Sequence, residues 1–260
     1  MKLMIYIFLM LLFFGKANAQ NVGIGTTSPS ANLHINGSFK ITNGSQGNGK
    51  ILTSNAAGLA TWKQALDTGA YYPAVGICCA TWMTKNLDVV TYRNGDTIPQ
   101  VTDATAWSLL TTGAWCYINN DPVAGAVYGK LYNWYAINDT RGLAPYGWHI
   151  PSTFEFTTLY NCLGGNVALA GGALKEKGIT HWASPNTNAT NFSGFNGFGA
   201  GLRYSTGQFL LGFDAAFWSA TESMANNTFA LTRTLYYANA DFAENNNAKK
   251  CGLSIRCIKD

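Results

Sequence analysis

Residues 145–165 read PYGWHIPSTFEFTTLYNCLGG. The run carries a helix start, an apolar stripe and a helix stop, in that order. Ser152 stands where an N-cap belongs, and Glu155 follows three residues later. At that spacing each side chain accepts from a backbone N–H near the other residue. Phe156, Leu159, Tyr160 and Leu163 then recur at helical spacing and make one apolar face. Gly164 and Gly165 end the run, because glycine enters the left-handed region without a Cβ penalty. A helix beginning at residue 153 is predicted.

Working outward, a second helix is predicted over residues 128–137, where Tyr128, Leu131, Tyr132 and Tyr135 share one face. A third is predicted over residues 170–177, weakened by Gly171 and Gly172. The remainder reads as strands at residues 114–118, 216–221 and 229–238. Near the end, Leu253, Ile255 and Cys257 alternate with Ser254, Arg256 and Ile258. Two main helices followed by a mostly antiparallel, loop-rich sheet is an α+β pattern. Residues 178–215 are long and irregular, a stretch that in a compact domain is functional or disordered. Trp182, Phe192, Phe195 and Phe198 within it point to an ordered loop.

Only 12% of residues are charged, against about 25% in ordinary soluble domains, so the surface is built largely from neutral polar groups. Eight Trp, 13 Tyr and 14 Phe exclude a disordered chain. The glycines have no period of three, which excludes collagen. Lys and Arg are few, scattered and nearly balanced by acids, which excludes a nucleic-acid binder.

The N-terminus is Met1-Lys2, then apolar residues 3–14, then Ala17-Asn18-Ala19. That is an export signal with cleavage after Ala19. Its apolar run is shorter than the ~20 helical residues that span a bilayer. No cysteine stands at Gln20 to take a lipid, and no second long apolar run follows. The mature chain is therefore expected outside the cell or on its surface, without a transmembrane helix. Residues 1–19 hold two lysines and no acids, so their loss brings the net charge from +4 to +2.

Residues 20–66 differ from the rest. Short apolar pieces (Leu33-His34-Ile35, Phe39-Lys40-Ile41, Ile51-Leu52) alternate with Asn36-Gly37 and Asn43-Gly44, as in tight hairpins. So little apolar content does not fold well alone. The segment reads as a β-rich stalk, stabilised by association between copies, or as a linker. Residues 67–260 form the compact domain, with all six cysteines and seven of the eight tryptophans. Cys78, Cys79, Cys116, Cys162, Cys251 and Cys257 suggest disulfides in an exported chain. Their fifteen connectivities stay open. Adjacent Cys78 and Cys79 suit distant partners, and the lack of a C-x-x-C pair speaks against zinc.

Seven pieces now carry a resemblance. They are Trp82-Met83-Thr84-Lys85-Asn86-Leu87, Tyr128-Gly129-Lys130-Leu131-Tyr132-Asn133-Trp134 and Pro145-Tyr146-Gly147-Trp148-His149-Ile150-Pro151. Then come Ala170-Gly171-Gly172, Gly194-Phe195, Phe217-Trp218-Ser219-Ala220-Thr221-Glu222 and Ser254-Ile255-Arg256-Cys257. In this order they resemble the Fibrobacter succinogenes major paralogous domain family of exported bacterial proteins, over residues 74–260. More distantly, the Gly-Trp-His-x-Pro helix start and the Ser-x-Arg-Cys ending are similar to formylglycine-generating domains. That likeness implies a C-type-lectin-like fold. The late reactive-cysteine motif of that enzyme is not found here, and Ala144 stands where many family members have a cysteine. Residues 20–66 are similar to stalks that precede fibre or adhesin heads.

The ligand-binding candidates are Trp182, Asn186, Asn191, Tyr204 and Glu222. Trp182, Tyr204 and Trp218 suit an aromatic platform for sugar rings, although Trp218 also reads as core. The lectin likeness implies calcium near Glu222 and Asn186, with no other cofactor. The preferred reading of Glu222 is a partly buried ion pair with Arg203 or Arg256. His149 reads as a packed residue, His181 as a ligand contact, and His34 lies in the stalk. The expected function is an exported binding or adhesion module, not an enzyme. Its expected partner is a polysaccharide, with glycans as the ligand class, or a surface protein. The alternatives are an enzyme on the formylglycine-generating scaffold and a ligand-free structural head of a fibre.

Overall fold

The computed structural model describes residues 21–42, 44, 46, 47, 50–54, 57–64 and 72–260. The signal segment expected at residues 1–19 lies outside them. The chain divides into two units: residues up to 47 with 54–62, and residues 48–53 with 63–260.

In the first unit, β1 (Val22–Ile24) and β2 (Leu33–Ile35) pair in parallel, Val22 opposite Leu33 and Ile24 opposite Ile35. The hairpin expected from the turn residues is corrected here. Parallel strands cannot be joined by a two-residue turn, and Asn36-Gly37 falls after the pair instead of within it. Phe39-Lys40-Ile41 is not a strand. Two further strands, β3 (Lys50–Ser54) and β4 (Ala60–Gln64), follow.

The second unit is α+β. Its first sheet joins β5 (Ala74–Ile77), β6 (Ala80–Met83), β15 (Ile258–Lys259) and β9 (Trp148–His149), in that order and antiparallel throughout. The beginning and end of the domain are thus hydrogen-bonded to each other. A second sheet is an antiparallel meander of β12 (Asp214–Glu222), β13 (Phe229–Tyr236) and β14 (Phe242–Ala248). Two small pairs complete it, β7 (Trp115–Cys116) with β8 (Leu131–Tyr132) and β10 (Leu202–Arg203) with β11 (Phe209–Leu210). The described helices are α1 (Ala104–Ser108), α2 (Pro122–Tyr128), α3 (Trp134–Ile137), α4 (Thr153–Cys162) and α5 (Ala170–Leu174). One helix is long and four are short, where two main helices were expected.

Helix α4 begins where the capping box placed it, with both reciprocal hydrogen bonds formed between Ser152 and Glu155. The helix expected over residues 128–137 is instead broken. Gly129 at φ +74° stops α2, in a position where a Cβ would sit 3.0 Å from the Leu87 carbonyl oxygen. Residues 131–132 turn into β8, and Asn133 then caps α3 by accepting from the Ala136 amide. The apolar stripe recorded burial against several neighbours, not one helix face. Helix α5 ends earlier than expected because Lys175 turns to extended backbone and bridges Gly197. The glycine pair in α5 is required by packing: a Cβ on Gly171 would lie 2.1 Å from the Asp241 carbonyl oxygen. The strand expected at residues 114–118 shortens to β7. The alternation at residues 253–258 proves to be burial on both faces.

The core is aromatic. Trp82 packs at a tilt against Phe156 at 5.3 Å and Phe195 at 5.9 Å between ring centres, and Phe195 meets Phe217 edge-on at 5.7 Å. Trp218 is fully buried, and its indole N–H donates to the Tyr132 carbonyl at 2.8 Å. Among the described residues, three cations lie inside without a carboxylate hydrogen-bond partner. Arg256 donates to the Asn86 side chain and to the Met83, Phe195 and Asn196 carbonyls. Burial pushes its guanidinium down to about 9. Arg203 donates to the Gly207, Val101 and Thr102 carbonyls. Lys175 donates to those of Thr187, Tyr236 and Asn239. Neutral oxygens thus satisfy groups that would otherwise be very costly to bury.

Candidate functional site

The long loop places the expected ligand residues in different surroundings. Trp182 is 4% exposed, and its indole N–H donates to the Gly197 carbonyl at 2.9 Å. It packs with Phe195, Phe217 and Leu174 in the core. Trp218 is core as well, so the aromatic platform is not presented to solvent through either tryptophan. Asn186 is buried, with its amide donating to the Glu176 and Gly178 carbonyls. Asn191 accepts from the Asn196 amide and shapes that turn. Tyr204 is half-exposed, at a turn closed by hydrogen bonds to Gly207 and Gln208. Glu222 is half-exposed and pairs with Lys249. The expected pairing with Arg203 or Arg256 is corrected, because both arginines are spent on backbone carbonyls and Asn86. Asn186 and Glu222 are thus each engaged by different partners. Among the described residues, no group of three His, Cys, Asp or Glu side chains gathers to hold a metal ion.

Each of the three histidines has a polar partner. His149 holds Asp260 at 2.7 Å through Nδ1 and Glu155 at 2.8 Å through Nε2. Burial works against its charge, but the two carboxylates outweigh it and raise its pKa above the ordinary value. Glu155, partly desolvated, is held below its ordinary range by His149 and Ser152. His181 meets Glu176 at 2.9 Å. In the first unit, His34 accepts from the Ser30 amide at 3.2 Å.

A polar cleft of about 280 Å³ opens elsewhere, between the turn before β7 and the segment leaving α3. Thr111, Thr112, Tyr135, Asn138, Thr140 and Arg141 line it. The Arg141 guanidinium is a fork on Asp139, at 2.9 and 2.8 Å, and reaches Asp96 at 3.2 Å. That fork holds the Asp139 carboxyl down to about 2. The guanidinium also covers the Tyr92 ring at 4.1 Å. Burial, with Asp139 nearby, pushes the Tyr92 phenol up to about 12. The charges of the cleft therefore cancel internally. The side chains of Thr111, Thr112, Asn138 and Thr140 make no hydrogen bond within the described residues and remain open to a ligand. Sequence reasoning did not single this cleft out. Its residues stand in Thr-Thr-Gly and Asn-Asp-Thr-Arg-Gly runs, which read as ordinary turns.

The profile of the Fibrobacter succinogenes major domain matches residues 75–259. The chain belongs to this family. No curated protein and no solved structure matches the sequence. Many of the motif residues of the Fibrobacter succinogenes major domain are buried, among them Trp82, Asn86, Trp134, Phe217, Trp218 and Arg256, whereas Lys85, Gly147, Ala220 and Glu222 are exposed. Arg256 of the last motif donates to Asn86 of the first at 2.9 Å, and Asn86 donates to Ser254 at 3.2 Å. Trp134 of a third motif donates to the Ser219 carbonyl at 3.1 Å. Side chains of these motifs thus tie distant parts of the domain core together. Among the described residues, no helix is long and apolar enough to cross a membrane.

Proposed function

We propose that the chain is an exported surface recognition module whose Fibrobacter succinogenes major domain, C-type-lectin-like in fold, binds a neutral saccharide. The observation that supports this is the polar cleft. Saccharide sites combine an apolar ring face with a few oriented polar groups. Here Tyr135 offers the ring, and three threonine hydroxyls and the Asn138 amide offer donors and acceptors. Arg141 is already neutralised, so an anionic ligand gains little over a neutral one. Binding without turnover is the proposed activity, because the cleft's carboxylate, Asp139, is engaged by the Arg141 fork.

A glycan array of the mature full-length chain, with and without chelator, tests the reading. Selective binding that survives chelation and is lost in Tyr135→Ala and Asn138→Ala is expected. Binding lost on chelation would move the site to a calcium centre, and no binding to any glycan would sink the proposal.

A second reading rests on the first unit, where Val22, Ile24 and Leu33 are more than half exposed. Residues 20–66 are proposed to associate between copies through that apolar strand pair. A monomeric mature chain in analytical ultracentrifugation at micromolar concentration would refute it.

A further inference from the structure

We propose that Cys78, Cys79 and Cys162 form a thiol–disulfide exchange site in which Cys79 is the attacking thiol. The strands β5 and β6 pair from Ala74 opposite Met83 to Ile77 opposite Ala80, so Cys78 and Cys79 are the whole of the turn between them. Cys78 is bonded to Cys162, the last residue of α4, with 6.5 Å between their Cα atoms. Cys79 is free and exposed. A nucleophilic sulfur and a disulfide thus occupy neighbouring positions of one two-residue turn.

The other free thiols do not compete. Cys116, Cys251 and Cys257 are buried. Burial pushes the Cys116 thiol up to about 11 and that of Cys257 up to about 12, and it raises Cys251 as well. Thiolates, not thiols, attack disulfides. Among the described residues, Cys79 is therefore the one accessible attacking sulfur.

Geometry allows the transfer. Neighbouring Cα atoms are about 3.8 Å apart, so the Cys79 Cα lies within roughly 10 Å of that of Cys162. Disulfides need about 4.4–6.8 Å, a difference that a rocking of the exposed turn can cover. Cys78 also sits at φ +57°, a left-handed conformation that residues with a Cβ adopt at some cost. That conformation is the one a two-residue hairpin turn demands at its first position, so the turn can keep its backbone whichever cysteine carries the bond. Both cysteines wall a small apolar groove with Trp82, Phe154 and Leu159, so no charged side chain of that wall other than Glu155 stands near the turn. Glu155 is itself occupied by His149 and Ser152.

The step balances without an external oxidant. The Cys79 thiolate attacks Sγ of Cys162, and the Cys79–Cys162 bond forms as the Cys78–Cys162 bond breaks. Cys78 leaves as a thiolate and takes up the proton that Cys79 gave to solvent. Two disulfide isomers result, with one or the other turn cysteine free.

The test uses the full chain, folded and oxidised. It is held at pH 8 with iodoacetamide for increasing times and quenched in acid, which stops exchange by protonating thiolates. Digestion without reductant and fragmentation between residues 78 and 79 then locate the label. Label on both Cys78 and Cys79 is expected, together with a Cys79–Cys162 linked peptide. The Cys78 label should vanish in Cys79→Ser. Label on Cys79 alone, with every Cys162 cross-link carrying Cys78, would overturn the proposal. Cys78→Ser gives an independent reading. A Cys79–Cys162 bond in that variant supports exchange, and alkylatable Cys79 and Cys162 in its folded form count against it.

Discussion

Replacing Lys175 by methionine isolates the contribution of a buried cation that no carboxylate neutralises. The side chain is fully buried, and its ammonium donates to three carbonyls, of Thr187, Tyr236 and Asn239, at 2.7, 2.9 and 2.7 Å. Hydrogen bonds to a charged group contribute about 1.5–3 kcal/mol each, so the three together represent roughly 5–9 kcal/mol. Against this stands desolvation, which lowers the amine to about 8 from 10.5, a cost of about 3 kcal/mol at ~1.4 kcal/mol per unit. Methionine fills nearly the same volume, carries no charge and leaves three carbonyls without a donor. The expected net loss is about 2–6 kcal/mol, a large part of the 5–15 kcal/mol typical of a domain. Urea denaturation of the full chain, followed by tryptophan fluorescence, reads the loss. Hydrogen exchange should speed up most at residues 187–190 and at the turn between β13 and β14. A change below about 0.5 kcal/mol, within the usual range of surface substitutions, with unchanged exchange there, would refute the idea that this lysine straps the loop to the sheet.

Ser152→Ala removes the side chain that accepts from the Glu155 amide and should cost about 1 kcal/mol in the same denaturation assay, with Ser152→Thr largely restoring it. His149 predicts a pH window. Its pKa is raised in the fold, so its contribution is complete below about 6.5, the unfolded value, and is lost as pH rises through the folded value. Glu155 is lowered, so its contribution is present above its unfolded pKa and is lost as pH falls through the folded one. The melting temperature of the wild type should therefore fall from pH 6 to pH 8 relative to His149→Ala, and parallel curves for the two proteins would contradict the assignment.

How much could be read beforehand depended on whether the deciding partner was local. The start of α4 was legible because Ser152 and Glu155 satisfy each other within one turn. The break at Gly129 was not, because the Leu87 carbonyl that crowds it is far along the chain. Nor was the inward course of Lys175 and Arg256. Composition places cations outside, and only the fold shows backbone carbonyls converging on them. Glu222 found Lys249 through the register of β12 and β14 around β13, which no charge spacing announces. The family motifs were legible as motifs, and several of their side chains lie in the core. The polar cleft was missed for a related reason, since its residues come from two turns brought together only by the fold.

The arrangement of β5, β6 and β15 has a mechanical consequence. Both outer strands run antiparallel to β6, so they run parallel to each other with β6 between them. A pull applied ahead of residue 74 and beyond residue 259 is directed along these strands in opposite senses. It loads the Ile258–Trp82 pairing and the hydrogen bond from the Met83 amide to the Cys257 carbonyl, 3.0 Å long, side by side instead of peeling them one after another. The domain meets a load applied between these two ends as shear. Its rupture force in single-molecule stretching from those two positions should exceed that measured when β12 and β13 are pulled apart at their open end.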